Sequence, residues 1–357
     1  MRNIKVAIVH DDLVQWGGAE KVLFEIANLF PDAPIYTSLF DKSNPLIYGK
    51  FKNSRIITSF LQKIPKWKTF YKLFLPLYGI AFEQFDFSEY DLVISQTTRF
   101  AKSVITKPET KHVCLMHTPP RFLWNFSGEK YLRLFNPLFN LLRVYDQVSS
   151  NRVDEYLAGS KNAQERIKKI YNRDSKVVLP FVDFEYFNKF ENFKNDYYLI
   201  ISRLNKYKKV DIAIKAFNKS GKKLIVVGKG PELQRLRQRS KGNIRFLNFV
   251  PDQLLLSLLL GCKGIIITAE EDFGLTSLEA QACGKGVIAY KKGGVLETVL
   301  EGKTAVLFNE QSREALVEAI EEFEKSDMKN EDCKKQAEKF SKEVFRKNFL
   351  EAVNNLN

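Results

Sequence analysis

Two carboxylates and a glycine occur together in one short stretch, EEDFGLTSLE, and their spacing indicates a site for a polar ligand. Glu271 and Glu279 are separated by seven residues, with Gly274 between them. Ionised carboxylates only accept hydrogen bonds, so they pair well with vicinal sugar hydroxyls. One carboxylate on a loop and one inside the next helix could hold two polyols, such as a sugar ring and a ribose. Gly274 and Leu275 would bring backbone amides near phosphates between them. An acidic helix start, stabilised by the helix dipole, is the alternative.

Cationic side chains follow another predicted strand, in the stretch ISRLNKYKKVD. Arg203 comes directly after that strand, and Lys208 opens the next helix. A planar guanidinium and an ammonium together can bind a diphosphate and stabilise its charge as it leaves. A basic loop without a ligand is the alternative.

Two motifs in the N-terminal half add further candidates. Gly17 and Gly18 of WGGAE join the first strand to the first helix, where backbone amides and the helix N-terminus favour an anion. His117 ends the strand HVCLM, and the prolines of HTPPRFLW restrict the loop that follows. An ordinary tight turn and a structural histidine are the alternatives. Neither half carries the Gly-x-Gly-x-x-Gly spacing of dinucleotide binders, which disfavours a dehydrogenase.

Strands alternate with helices along the chain, and the motifs come just after predicted strands. The clearest strands are KVAIVH, APIYTSLF, DLVISQ and HVCLMH in the first half, and YYLIISRL, KLIVVGKG, IRFLNFV, GIIIT and GVIAY in the second. This alternation predicts the α/β class with parallel sheets, which bind ligands at the carboxyl ends of their strands. A polar stretch at 184–195 predicts a linker. Residues 1–183 and 184–339 would then form two Rossmann-like domains that face each other across a cleft.

Length and composition fit two globular domains. The chain has 357 residues, of which 45% are hydrophobic. The apolar runs at 73–82 and 254–262 are far shorter than the roughly 20 residues of a membrane-spanning helix, so both are predicted to be buried elements. Four scattered cysteines contain no close pair, which is typical of a reducing cytoplasm and indicates neither a metal site nor disulfides.

The charge is strongly basic and unevenly distributed. Fifty-six basic residues against 42 acidic residues give a formal net charge of +14, which favours an anionic partner. Residues 50–82 contain seven basic and no acidic residues, interleaved with aromatic side chains. This combination predicts binding to an anionic membrane surface, and a solvated basic face is the alternative. Nucleic acid is disfavoured because no recognisable binding module is present.

These stretches together resemble glycosyltransferase family 4, a group of retaining, metal-independent enzymes with the GT-B fold. The family signature of two glutamates separated by seven residues matches Glu271 and Glu279. The resemblance continues through ISRLNKYKKVDIAIKAF, VVGKGPELQRLR, GGAEKVL and HTPPRFLW, and covers nearly the whole chain. It implies that a C-terminal helix at 340–357 crosses back onto the first domain, and that no metal or other cofactor is needed. The oligomeric state stays open.

The resemblance also implies a role for each candidate residue. Glu279 would bind the ribose of a nucleotide sugar, and Glu271 would bind hydroxyls of the donor sugar. Arg203 and Lys208 would neutralise the diphosphate, and Gly17 and Gly18 would approach it from the N-terminal domain. His117 would lie beside the transferred sugar.

Within the family, HTPPRFLWNF and GSKNAQERIKKIYNRDSKVVLPFVD are most similar to bacterial mannosyltransferases that build surface polysaccharide or lipopolysaccharide from GDP-mannose. This implies an enzyme on the inner face of the cytoplasmic membrane that moves mannose onto a lipid-linked glycan. Three departures from the family pattern are Gly286 in place of a common proline, the polar pair Thr276 and Ser277, and Lys229 in place of an acidic residue. The last two leave a UDP-sugar donor open. A nucleotide-sugar epimerase and a non-catalytic sugar-nucleotide binding protein remain as alternatives.

Overall fold

The structure is a computed structural model that describes residues 4–124, 136–193 and 195–354. Asn125 and Phe126 of the HTPPRFLWNF motif lie outside the described residues. So do the last three residues of the helix predicted at 340–357 and the side chain of Lys72, one of the seven basic residues of 50–82.

The chain forms two compact units, each built on one parallel sheet. Unit 1 comprises Met1–Leu179 and Arg346–Asn357, and unit 2 comprises Pro180–Phe345. The strands of unit 1 are β1 (Val6–His10), β2 (Ile35–Thr37), β3 (Ile56–Thr58), β4 (Leu92–Thr97), β5 (Lys111–Met116), β6 (Glu155–Ala158) and β7 (Ser175–Val177). The strands of unit 2 are β8 (Tyr198–Ile201), β9 (Leu224–Val227), β10 (Ile244–Leu247), β11 (Gly264–Ile267), β12 (Gly286–Tyr290) and β13 (Ala305–Phe308).

Helices connect the strands in both units. They are α1 (Gly18–Leu29), α2 (Pro45–Phe51), α3 (Trp67–Phe70), α4 (Tyr78–Glu83), α5 (Arg121–Trp124), α6 (Asn136–Ser149), α7 (Lys161–Tyr171), α8 (Phe184–Asn188), α9 (Val210–Ser220), α10 (Leu233–Gln238), α11 (Asp252–Gly261), α12 (Leu275–Ala282), α13 (Val295–Thr298), α14 (Arg313–Lys325), α15 (Asn330–Glu338) and α16 (Lys342–Asn354).

The two sheets repeat the same strand order. In unit 1 the order is β3-β2-β1-β4-β5-β6-β7, and in unit 2 it is β10-β9-β8-β11-β12-β13. All neighbouring strands pair in parallel. Residues of β1, β4, β8 and β11 are almost all buried, as expected for central strands covered on both faces. The predicted α/β class with two Rossmann-like parallel sheets is therefore confirmed.

Three local expectations differ from the structure. In the run 254–262, which was expected to be buried, Leu254 is 45% exposed. The predicted linker at 184–195 begins with α8, whose Phe187 is buried within unit 2. In the run 73–82, which was expected to be buried, Phe74, Tyr78 and Phe82 are buried, but Leu73 and Ile80 are 74% and 56% exposed. The run spans a 3₁₀ helix (Tyr71–Leu77) and most of α4, and only one side of each meets the core.

Candidate functional site

The candidate residues of unit 2 lie where the connections of its sheet diverge. The strands β8 and β11 are neighbours, but the chain leaves β8 towards β9 on one side and leaves β11 towards β12 on the other. Ligands of open α/β sheets bind at the carboxyl ends of such strand pairs. Arg203 and Lys208 follow β8, whereas Glu271 and Gly274 follow β11.

An ion pair joins these two loops. The Nζ atom of Lys208 donates to both carboxylate oxygens of Glu271 at 2.6 Å. The two side chains are 11% and 23% exposed, so water screens the pair only in part. The hydroxyl of Thr268 also donates to the backbone carbonyl of Lys208 at 2.8 Å, which fixes the loops to each other next to the pair. A cation and a carboxylate are thus held side by side at the end of the sheet.

Arg203 is placed differently from Lys208. It follows β8 directly and is exposed. Within the described ranges, no hydrogen bond or ion pair of its guanidinium is seen. The structure therefore brings Lys208, but not Arg203, into contact with Glu271.

Glycines allow neighbouring loops to approach the site closely. A Cβ atom at Gly230 would lie 2.3 Å from the carbonyl oxygen of Leu204, in the loop between Arg203 and Lys208. At Gly293, which has a φ of +82°, a Cβ atom would lie 2.4 Å from the carbonyl oxygen of Glu271. Both contacts are with backbone, so a larger residue would displace the loops that carry the candidate side chains.

The helix α12 begins at Leu275, as predicted. Gly274 precedes it with a φ of +94°, a conformation that favours glycine. Glu279 lies about one turn inside and is partly buried, beside the buried Leu278 and Ala280. The helix thus presents its first backbone amides at the carboxyl end of β11, with a carboxylate one turn further along.

The polar residue Ser277 has an internal role. It is fully buried; its hydroxyl donates to the carbonyl of Gly274 at 2.7 Å and lies 2.6 Å from the hydroxyl of Thr298. The amide nitrogen of Gln281 in turn donates to the carbonyls of Ser277 and Thr298. This polar departure from the family pattern therefore secures the start of α12. Gly286 likewise has a packing reason, since a Cβ atom there would lie 2.6 Å from the ring of Phe323.

In unit 1 the corresponding divergence lies between β1 and β4. Asp11, directly after β1, is the centre of the hydrogen bonds there. Its carboxylate accepts from the hydroxyl of Thr97 at 2.8 Å and from the backbone amides of Thr98, Phe100 and Ala101 at 2.7, 3.0 and 3.0 Å. Burial raises the pKa of Asp11, but Arg99 and these hydrogen bonds outweigh it and hold the pKa below the usual 3.8.

A second buried carboxylate, Asp12, forms an ion pair with Arg99. The guanidinium carbon of Arg99 also lies 5.5 Å from the centre of the Tyr78 ring. Burial lowers the pKa of Arg99, but Asp12 and Asp11 outweigh burial and raise it above the ordinary value. Sequence reasoning missed Asp11, Asp12 and Arg99. The signal was available, because Asp11 and Asp12 directly follow the first strand and Arg99 lies two residues after the fourth.

The glycine turn of unit 1 already has an anionic partner. The backbone amide of Gly17 donates to the carboxylate of Glu20 at 2.8 Å, and Glu20 is only 4% exposed. Burial raises the pKa of Glu20 above the usual 4.5. A diphosphate could take this amide only if the bond to Glu20 opened. Gly18, the next residue, is the first of α1.

His117 follows β5 and is partly buried. Its Nε2 atom lies 2.6 Å from the amide nitrogen of Gln96, at the end of β4. His112, inside β5, is fully buried instead, and its Nε2 atom lies 2.8 Å from the hydroxyl of Ser95. Burial lowers the pKa of His112 to about 4, which is typical of a structural, neutral histidine. Of these two histidines, only His117 lies at the carboxyl end of the sheet.

Comparison with known proteins adds a family match. Residues 182–340, which fall within unit 2, match the family described as "Glycosyl transferases group 1". The chain is 24% identical to an uncharacterized glycosyltransferase, MJ1069, from Methanocaldococcus jannaschii over 83% of this chain and 80% of that protein. It is 25% identical to the alpha-1,3/1,6-mannosyltransferase ALG2 of Kluyveromyces lactis over 83% of this chain and 71% of that protein.

Solved structures share the fold over the full length. The structure of Anabaena Alr3699/HepE in complex with UDP has a TM-score of 0.71 at 20% identity, and covers 99% of this chain and 100% of that one. The same protein in complex with UDP-glucose also has a TM-score of 0.71, at 19% identity over 98% of this chain and 100% of that one. The likeness agrees with the predicted GT-B fold class. The sequence matches support a glycosyltransferase activity of group 1.

Proposed function

We propose that this chain is a retaining glycosyltransferase that moves mannose from GDP-mannose onto a lipid-linked glycan in surface polysaccharide or lipopolysaccharide synthesis. The observation that carries the proposal is the bond between Lys208 and Glu271 at the ends of β8 and β11, with Glu279 in the helix that follows. The group 1 match over unit 2 supports the reaction class. Relatives named as mannosyltransferases support mannose as the sugar.

A nucleotide sugar offers partners to both members of the ion pair. Its diphosphate would attract the ammonium of Lys208, and its sugar hydroxyls would donate to Glu271. Glu279 would accept from the ribose hydroxyls, while the amides of Gly274 and Leu275 would lie near the phosphates. Without donor, Lys208 and Glu271 neutralise each other, which keeps both charged groups in place.

In the proposed reaction the bond between the anomeric carbon and the diphosphate oxygen breaks, and the oxygen keeps the electron pair. The acceptor hydroxyl oxygen forms a new bond to the same carbon on the same face, and its proton passes to the departing diphosphate. Lys208 and the exposed Arg203 would neutralise the charge that develops, where electrostatic stabilisation contributes most to the rate. No metal ion and no protein nucleophile are part of this proposal.

The roles of unit 1 rest on the resemblance. His117 is proposed to contact the transferred sugar, and Gly17 and Gly18 the diphosphate. For Gly17 the proposal requires that Glu20 release the amide it now accepts from.

The proposed membrane partner gains support from an apolar surface. Four side chains along one side of α6 are exposed, namely Leu138, Leu141, Val144 and Val148. The helix α4 lies against α6, because a Cβ atom at Gly79 would lie 2.5 Å from the Tyr145 ring and Tyr145 donates to Glu83 at 2.9 Å. Ile80, the neighbour of Gly79, is also exposed. We call Ile80 and the four side chains of α6 the apolar face of unit 1.

Basic residues of the segment 50–82 would complement an anionic lipid surface. Lys63 and Lys66 are exposed, whereas Lys68 pairs with Asp41 at 2.6 Å. Phe51, an aromatic residue of the predicted segment 50–82, is buried and cannot contact lipid. Lipid contact is therefore proposed for the exposed residues only, at the inner face of the cytoplasmic membrane. No helix in the described part of the chain is long and apolar enough to span a bilayer.

Donor choice is tested by incubating the purified protein with GDP-mannose, UDP-glucose and UDP-N-acetylglucosamine, with and without a lipid extract as acceptor source. We expect GDP release from GDP-mannose, and faster release with the extract. A preference for a UDP-sugar would overturn the choice of GDP-mannose while leaving the transferase class intact.

Two alternatives predict other outcomes. A nucleotide-sugar epimerase would release epimerised sugar without an acceptor. A non-catalytic binding protein would leave cellular glycan unchanged when Glu271→Ala replaces the wild type. Loss of the glycan in that strain supports the transferase.

A further inference from the structure

The side chain of Gln96 connects two elements of unit 1. Gln96 is the penultimate residue of β4, lies next to His10 of β1 and is fully buried. Its amide nitrogen donates to the carbonyl oxygen of Ala19 in α1 at 2.8 Å and lies 2.6 Å from Nε2 of His117. The two hydrogens of one amide group can serve both contacts.

The Ala19 carbonyl decides which way this amide faces. A carbonyl oxygen only accepts, so the group 2.8 Å from it must be a donor. Rotating the amide by half a turn would place two oxygens against each other. The amide oxygen of Gln96 is buried without a hydrogen-bond partner in the described structure, and this unpaired acceptor is the consequence of the fixed orientation.

The orientation of the amide in turn decides the tautomer of His117. Since the amide nitrogen donates, Nε2 must accept, and the proton of the neutral ring is on Nδ1. Gly159 lies beside this atom, because a Cβ atom there would be 3.2 Å from Nδ1. The ring can then present an N–H group only through Nδ1.

We propose that Gln96 is a positioning residue that holds His117 as the neutral Nδ1–H tautomer, so that the ring meets the sugar in one fixed protonation pattern. The consequence for the sugar rests on the proposed function, whereas the tautomer does not. None of the motifs in the sequence analysis identified Gln96 as a functional residue.

The test is the nitrogen-15 spectrum of the histidine rings, recorded on the full chain without donor. We expect a protonated Nδ1 and an unprotonated Nε2 for His117. In Gln96→Glu, at a pH where the carbon-13 shift of the new carboxyl group shows that it is ionised, this group can only accept, so Nε2 of His117 should gain a proton. His112 is the internal reference, because its Nδ1 faces the carbonyl of Arg152 at 3.2 Å and its tautomer should not change.

A wild-type His117 protonated at Nε2, or an unchanged tautomer in Gln96→Glu, would overturn the proposal. If the buried carboxylate prevents folding, Gln96→Met decides instead: it has neither donor nor acceptor, so the Nδ1–H population of His117 should fall, and an unchanged population contradicts us. With a nucleotide sugar that the wild-type protein turns over, Gln96→Met should lower kcat on the order of 10²-fold, with little change in KM for that nucleotide sugar. If the protein turns over no nucleotide sugar, the proposed function is refuted, but the assignment of the His117 tautomer is not.

Discussion

Lys208 and Glu271 show what a single contact adds to a sequence motif. The glutamate spacing and the cation after β8 could both be predicted, because each is a local pattern. The bond between them could not, since the two residues are 63 positions apart along the chain. The occupied amide of Gly17 was hidden for a different reason: Glu20 lies in the first turn of α1, and the sequence does not show that its carboxylate folds back onto the glycine turn.

At the residue scale, Glu279 should act in donor binding. In Glu279→Gln one oxygen that accepts from ribose hydroxyls becomes a donor, so we expect KM for the nucleotide sugar to rise roughly tenfold, with a smaller change in kcat. Initial rates over a range of donor concentrations measure both constants. Glu322→Gln, an exposed glutamate of α14, is the control and should match the wild type. A variant at Glu279 with unchanged KM would remove this residue from the site.

At the element scale, most strands and helices could be predicted, and the misses have physical causes. The strands β3 and β13 were missed; both are edge strands, and all three residues of β3 are only partly buried, so it is not the fully covered apolar run of a central strand. The helix α6 was missed because apolar residues occupy its exposed side as well as its buried side. Its apolar stripe is therefore broader than that of an ordinary surface helix, and only part of the stripe meets the core.

The loop contact at Gly230 gives a prediction for the elements of unit 2. In Gly230→Ala the added methyl group would meet the Leu204 carbonyl at 2.3 Å, so the loop that carries Arg203 and Lys208 must move. We expect a loss of about 1–3 kcal/mol in the free energy of unfolding, together with reduced donor turnover. Urea titration and initial rates measure the two effects. Gly242→Ala, with nothing within 4 Å of its Cβ position, should change neither, and equal behaviour of the two variants would contradict the contact.

A buried ion pair gives a prediction for the elements of unit 1. Lys102 and Asp146 are both fully buried, and Asp146 also accepts from Trp124 and Tyr171 at 2.8 Å. Lys102→Met would leave a buried carboxylate without its cation, so we expect a loss of about 3–5 kcal/mol in the free energy of unfolding.

The control is Lys168→Met, which breaks an exposed pair with Asp174 and should cost less than about 1 kcal/mol. Thermal unfolding monitored by circular dichroism compares the variants. A Lys102→Met protein as stable as Lys168→Met would show that Asp146 is satisfied by its neutral donors alone.

At the scale of the whole molecule, the basic charge and the apolar face of unit 1 predict membrane binding. The charge could be counted from the sequence, but the apolar face could not, because it depends on which side of α6 meets the core. We expect the protein to sediment with vesicles of phosphatidylglycerol and phosphatidylcholine at low salt, and less at high salt. Absence of binding at low salt would exclude the membrane proposal.

Variants separate the apolar contribution from the charge. Replacing Leu141 and Val144 by glutamate should weaken vesicle binding at every salt concentration, because two exposed apolar side chains are lost and two negative charges are added. Leu254→Glu, in unit 2, is the control for an exposed leucine elsewhere. If all variants bind alike, lipid does not contact the apolar face.

The central claim is that the ion pair between Lys208 and Glu271 belongs to a sugar-nucleotide site. Unit 2 contains a second pair of the same hydrogen-bond geometry but greater exposure, since Nζ of Lys291 also donates to both oxygens of Glu301, at 2.8 and 2.6 Å. The most direct test compares the rate of nucleoside diphosphate release by Lys208→Met, Glu271→Gln and Lys291→Met with that of the wild type, on the best donor. We predict losses on the order of 10²-fold or more for the first two variants and wild-type rates for the third. Equal rates for Lys208→Met and Lys291→Met would contradict the account.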